Sequence, residues 1–163
     1  MIVVADSSPL RYLIEIGAEE LLLKLYGTVQ IPREVLTELS RGKTPAMVRT
    51  WCNSAPAWLE VKVVTPNATL KFDLGAGETA AIELALQSHA DLLLIDDREA
   101  AGAAKSIGLN VTGTLGVLLA AHKEGLADGR NLFDLLLSAT NFYRTSRLIS
   151  SFARRIAEFE VKQ

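Results

Sequence analysis

Cysteine occurs once in this 163-residue chain, at Cys52, and histidine twice, at His89 and His122. One thiol excludes an internal disulfide and leaves a reducing compartment unsurprising. With two imidazoles beside it, a structural zinc site has too few soft ligands. The apolar runs are short and interrupted, and none approaches the ~20 residues of a membrane span. Met1 runs directly into Ile2-Val3-Val4-Ala5-Asp6 with no basic region or cleavage-site pattern, so the expectation is a cytoplasmic protein without a membrane role. Net charge is −2, which argues against a uniformly basic nucleic-acid binder. Gly75-Ala76-Gly77 lacks the Lys-Ser/Thr of a phosphate loop, and no nucleophile elbow surrounds Ser7 or Ser8. Repeats and low-complexity linkers are absent.

What remains is an ordinary globular composition, 49% hydrophobic and 22% charged, of a length that suits one domain. The chain is organised around Leu92-Leu93-Leu94-Ile95-Asp96-Asp97, four large aliphatics that read as a strand buried on both faces, followed by two acids. Ile2 to Ala5 reads as a first buried strand, Thr28 to Ile31 as a second, Leu59 to Val64 as an edge strand and Asn110 to Thr112 as a short one. Helices are expected after Ser8-Pro9, over about 18–25, from Pro32 to about Ser40, from Pro45 to about Ser54, and from Glu78 to about Ser88. Others follow from Arg98 to Ile107, from a Thr114 cap to Glu124, from Asn131, and from about Thr145 to Glu158. Thr65 to Asp73 reads as a loop. Strands alternating with helices argue for an α/β fold with a central parallel sheet and helices on both faces.

Chemistry in such folds gathers outside the carboxyl ends of the strands, and acids fall there. Asp6 ends the first strand, where it either caps a helix or serves a site. Glu38 sits near a helix end that disfavours an anion, although alone it reads as a solvated acid. Glu78 lies about 140° around its helix from Glu83, toward the apolar side. It either meets free N–H donors in the first turn or points into a cleft. Glu83 and Gln87 mark that helix's solvated face. Asp96 has capping-box spacing to Glu99, which leaves Asp97 freer to face the crevice, yet both could approach one metal. Carboxylates held close repel unless protonated or bridged, and the natural bridge is Mg²⁺ or Mn²⁺. From Asn141 onward the chain is locally basic, with Arg144, Arg147, Arg154, Arg155 and Lys162 against Glu158 and Glu160. These cations could hold phosphates flanking an acidic site.

Four segments in this order, Val3-Val4-Ala5-Asp6-Ser7-Ser8, Ile31 to Leu39, Gly75-Ala76-Gly77-Glu78-Thr79-Ala80-Ala81 and Leu94-Ile95-Asp96-Asp97-Arg98, together with Val111 to Leu119, resemble the PIN-domain superfamily. The closest likeness is to its small prokaryotic branch of VapC-like toxins, and it covers roughly residues 1 to 126. The resemblance implies a three-layer α/β/α core over 1–126, with 127–163 a helical extension packed on the same domain. It also implies a Mg²⁺- or Mn²⁺-dependent endoribonuclease with catalytic Asp6, Glu38, Glu78 and Asp97. Asp96 is kept as a further metal ligand, and Arg144, Arg147, Arg154 and Arg155 as RNA-binding residues. The implied partners are an RNA substrate, a second copy in a homodimer, and a cognate antitoxin that blocks the acidic site. The family more often has Asp at the third acid and Thr or Ser two residues before the fourth, where this chain has Glu78 and Ile95. Those departures keep open a catalytically silent PIN-like module that binds RNA or protein. A nucleotide-binding α/β domain ranks last.

Overall fold

The computed structural model describes residues 1–161, so Lys162 of the basic tail lies outside the described residues. In chain order the first half comprises β1 (Val3–Ala5), α1 (Ser7–Glu15), α2 (Glu20–Tyr26), β2 (Val29–Pro32), α3 (Arg33–Leu39), α4 (Ala46–Asn53) and β3 (Leu59–Lys62). The second comprises α5 (Ala76–Gln87), β4 (Leu92–Leu94), α6 (Arg98–Ser106), β5 (Val111–Thr112), α7 (Thr114–Lys123), α8 (Gly129–Ala139) and α9 (Ser146–Glu160).

Every residue of β1 is buried, because side chains alternate across a sheet that is covered on both faces. Val3 and Ala5 join Leu94 in a core with α1–α4 and α7–α9, whereas Val4 joins Leu93 and Ile95 in a second core under α5 and α6. The result is the expected α/β architecture of three layers. The strands are all parallel, in the order β3-β2-β1-β4-β5 among the described residues. From β1 the chain winds outward through β2 and β3, and then returns to build β4 and β5 on the opposite side. Neighbouring β1 and β4 therefore flank the topological switch point, where a crevice opens beyond the strand ends. The Asp6 N–H donates to Leu94 O at 2.9 Å, so the two strands stay paired up to that crevice.

The C-terminal helices belong to the larger core. Phe133 of α8 and Phe152 of α9 stack with centroids 4.1 Å apart, beside fully buried Leu136 and Ile156. A Cβ on Gly129 would lie 2.9 Å from both His122 Cβ and Ile156 Cδ1, so α8 begins where only a glycine fits. His122 Nδ1 accepts from the Gly129 N–H at 3.3 Å, which gives this histidine a packing role.

Several boundaries differ from the sequence expectations for physical reasons. Helix α8 starts before Asn131, because Asp128 accepts from the N–H groups of Arg130 and Asn131. Thr114 is not a cap: Gly113 holds that position and Thr114 is fully buried inside the helix start. Glu83 is not solvated. It is 7% exposed and accepts from the Asn67 N–H at 3.0 Å, while Gln87 bonds both the N–H and the carbonyl of Thr65. These two side chains staple the 65–73 loop over α5. Among the described residues no helix is long and apolar enough to cross a membrane.

Truncating Phe152 to Ala should remove the aromatic stack and leave a cavity between α8 and α9, costing about 3–5 kcal/mol. Urea unfolding followed by circular dichroism checks this, with a loss below 1 kcal/mol counting against a shared core.

Candidate active site

Four acids meet at the switch point, each delivered by a different element. Asp6 follows β1 and is only 2% exposed. It occupies the N-cap position of α1, yet its side chain makes no capping bond, and Oδ1 is buried without a hydrogen-bond partner. Burial pushes its carboxyl up to about 7; the negative charges of Glu78, Glu38 and Asp96 push in the same direction, while a hydrogen bond from the Ser7 backbone opposes them.

Glu38 reaches this place from the last turn of α3. Its Oε2 accepts from Ser7 Oγ at 3.0 Å and its Oε1 from the Gly77 N–H at 2.9 Å. The approach to α5 is close enough that a Cβ on Gly77 would fall 2.5–2.6 Å from the carboxylate. Glu78, in the first turn of α5, turns back so that Oε2 accepts from the Gly75 N–H at 3.0 Å, one half of a capping box.

The two acids after β4 exchange the parts that their spacing suggests. Asp97 is the N-cap of α6, and its Oδ1 accepts from both Glu99 and Ala100 N–H at 2.9 Å. Asp96 turns inward. Its Oδ1 accepts from the Thr114 N–H and its Oδ2 from Thr114 Oγ1, both at 2.7 Å. A Cβ on Gly113 would lie 2.5 Å from Asp96 Oδ1, so this glycine makes room for the acid. Burial raises the Asp96 carboxyl and the two Thr114 bonds lower it. Asp96 stands among the charges that act on Asp6, while Asp97 lines the cleft with Oδ2 outside the capping bonds. Ile95 is 3% exposed and sits in the α5–α6 core, so the hydroxyl that reaches an acid here comes from Thr114 instead.

Beside the acids lies a cleft of about 540 Å³. Glu78, Asp96 and Asp97 line it together with Arg98 and Lys105 of α6 and the rings of Tyr12, Phe142 and Tyr143. Arg144, Arg147, Arg154 and Arg155 are exposed but are not among its lining residues. The sequence reading missed Ser7, Thr114, Arg98 and Lys105; the last two carry a signal in hindsight, seven apart on the helix that follows the acids.

Among the described residues, no three imidazole, thiolate or carboxylate groups stand ready-grouped to hold a metal ion. The donor chemistry still fits a hard divalent cation: every side chain offered is a carboxylate, and Asp6 presents a buried oxygen with nothing to bond.

Asp6 has a definite consequence for stability. Its folded pKa of about 7 exceeds the unfolded value near 3.9, so the folded chain holds an extra proton between those limits. The contribution is fully present below pH ~4 and is lost as pH rises through about 7. Asp6→Asn in EDTA should therefore raise stability at pH 8 by on the order of 4 kcal/mol and flatten the slope between about pH 4 and 7. Thermal unfolding across pH tests this, and an unchanged slope would show that Asp6 ionises normally.

Comparison with curated proteins and with solved structures returned no match. A family model described as a PIN domain matches residues 2–158, which takes in the helices after residue 126 as well as the acids. By that match the chain belongs to the PIN-domain family, whose members are generally nucleases and typically use divalent metal ions.

Proposed function

We propose that this protein is an endoribonuclease that hydrolyses RNA phosphodiester bonds with Mg²⁺ or Mn²⁺. The observation that carries this reading is the buried, unpartnered Oδ1 of Asp6 among the charges of Glu38, Glu78 and Asp96. An uncompensated carboxylate in a carboxylate cluster is costly unless a cation completes it.

Asp6 and Asp96 would hold the ion, with Glu78 and Glu38 beside them and Asp97 Oδ2 at the cleft edge. When bound, the ion supplies an activated water and neutralises charge on the phosphoryl oxygens. The chain's own residues supply orientation. Ser7 and the Gly77 N–H fix the Glu38 carboxylate, and Thr114 fixes both oxygens of Asp96. Asp6 holds a proton for part of the time near neutral pH without a cation, and releasing it readies that oxygen for a ligand.

The finer assignment is the VapC-like toxin branch, with a homodimer and a cognate antitoxin covering the acids. The support for it is the order of the motifs. Co-expression with a small neighbouring reading frame should give a stable complex with suppressed cleavage. A monomer that binds no such protein removes the branch assignment and leaves the nuclease reading in place.

A second reading, a silent RNA- or protein-binding module, is favoured by Glu38, both of whose oxygens already have protein donors. Incubating purified protein with structured and unstructured RNA in Mg²⁺, Mn²⁺ and EDTA separates the two. We expect cleavage with metal, abolished by EDTA and reduced about 100-fold or more by Asp6→Asn or Asp96→Asn. Turnover that continues in EDTA, or in both variants, would sink the mechanism; Mn²⁺-independent RNA binding without turnover would establish the silent module.

A further inference from the structure

An open sheet has two edges, and in this chain they differ. Strand β5 is two half-buried residues, Val111 and Thr112, which offer a partner little backbone. Strand β3 closes the other side with four residues, and its register with β2 fixes which backbone groups stay open. The Val29 N–H donates to the Trp58 carbonyl at 2.9 Å, so that carbonyl faces β2. Backbone groups alternate in direction along a strand, so those of Glu60 and Lys62 face β2 as well. The Leu59 carbonyl, both groups of Val61 and the Val63 N–H then point away from the sheet. The Leu59 N–H is already engaged, donating to Pro56 O at 3.0 Å.

The side chains on this edge are of two kinds. Val61 is 42% exposed and Val63 is 71% exposed, both β-branched residues that favour strand pairing. They share the face of Leu59, which belongs to the larger core, whereas Val64 reaches the smaller one. On the opposite face Glu60 and Lys62 bond each other at 2.6 Å and stay half-exposed. A lysine alone on an edge deters indiscriminate pairing. A Glu–Lys couple two residues apart admits one partner: the same sequence running the other way.

An antiparallel copy centred on Val61 sets Glu60 of each chain opposite Lys62 of the other. These are the non-hydrogen-bonded positions, where facing Cα atoms approach to about 4.5 Å and side chains interact most closely. The two Val61 residues then form a hydrogen-bonded pair, each donating to the carbonyl of the other. Each Val63 N–H meets a Leu59 carbonyl, so every open donor finds an open acceptor. Val61 packs on Val61 and Val63 on Leu59, which covers the exposed apolar side chains. The contact is self-complementary, as a two-fold axis requires. A parallel copy in the same register would set Glu beside Glu and Lys beside Lys, which is unfavourable.

We propose that β3 is a dimerisation edge, where two copies of this chain join antiparallel through residues 59–63 about a two-fold axis at Val61. The five strands of each copy then run on into one continuous sheet. The proposal rests on neither the nuclease reading nor the toxin-branch assignment, and it names a surface that the branch leaves open.

Sedimentation velocity of the full chain from about 1 to 100 μM tests this, and we expect a species of twice the chain mass at the upper end. Lys62→Glu sets acid against acid at both charged positions and should weaken the dimer about tenfold, as should Glu60→Lys. Glu60→Lys combined with Lys62→Glu restores opposite charges and should return the affinity to within about twofold of the original. Val61→Pro removes both central bonds and should leave a monomer with unchanged circular dichroism, because that N–H makes no bond to β2. A dimer that ignores the charge reversals and Val61→Pro overturns the edge, places the contact elsewhere and leaves the homodimer of the toxin branch standing. Weakening by each single reversal without recovery in the combined variant overturns the antiparallel register. A chain that stays monomeric up to about 100 μM overturns self-pairing and leaves an extended segment of another protein as the occupant. RNA cleavage is assayed on the same samples, so the nuclease reading stands or falls separately.

Discussion

The burial of Asp6 is the constraint on which the rest of this site depends. A carboxylate taken out of water without partners costs several kcal/mol when charged, and Asp6 is 2% exposed with Oδ1 unbonded. Every other acid at the crevice is handled differently. Glu38 has Ser7 and Gly77, Asp96 has two bonds from Thr114, Glu78 has Gly75, and Asp97 has two backbone donors. Two glycines make this possible by clearing space: Gly77 for Glu38 and Gly113 for Asp96. An alanine at either place would meet a carboxylate at about 2.5 Å, so the acid, its donor or the helix start would have to move. The surroundings thus give all four neighbouring acids hydrogen-bond donors and leave one buried oxygen of Asp6 without one.

The sheet and its order of elements were legible because buried parallel strands and helix periodicity are local signals. The acids at strand ends were legible for the same reason: Asp6 and the Asp96-Asp97 pair follow directly from where the aliphatic runs stop. Roles within that pair were not. Capping-box spacing from Asp96 to Glu99 assumes that the strand ends at Ile95. In fact the Ile95 N–H donates to Thr112 O at 2.8 Å, Asp96 continues inward, and Asp97 takes the cap. The partner that holds Asp96 is Thr114, eighteen residues further along the chain, beyond any local rule. Glu83 misled in the same way: its helical position reads as solvent, but a loop folds over it.

The basic tail illustrates a different limit. Counting charge from Asn141 onward finds an excess of cations, but charge is a property of a segment and recognition is a property of a surface. Arg154 lies 4.0 Å from Glu158 with both side chains largely exposed, an arrangement worth little in energy. The cations beside the acids are Arg98 and Lys105, inside a segment whose overall charge gives no hint of them. What the tail places at the cleft is aromatic: Phe142 and Tyr143 reach it because Asn141 is tied to α1.

These features together explain why a costly site persists in a well-packed chain. The two cores bury the sheet on both faces, and the C-terminal helices extend the larger one through Phe133, Leu136, Phe152 and Ile156. That burial offsets the penalty at Asp6, since a fully buried side chain of this size contributes about 1.5–3 kcal/mol. The penalty is also the quantity through which the proposed cation would be coupled to folding. A cation that binds the folded chain and not the unfolded one stabilises it in proportion to RT ln(1 + [L]/Kd). The strongest response is expected where the folded state lacks a partner for a charge. Asp6 is that place, so proton release and folding stability meet in one side chain, and the proposed ion would act through it.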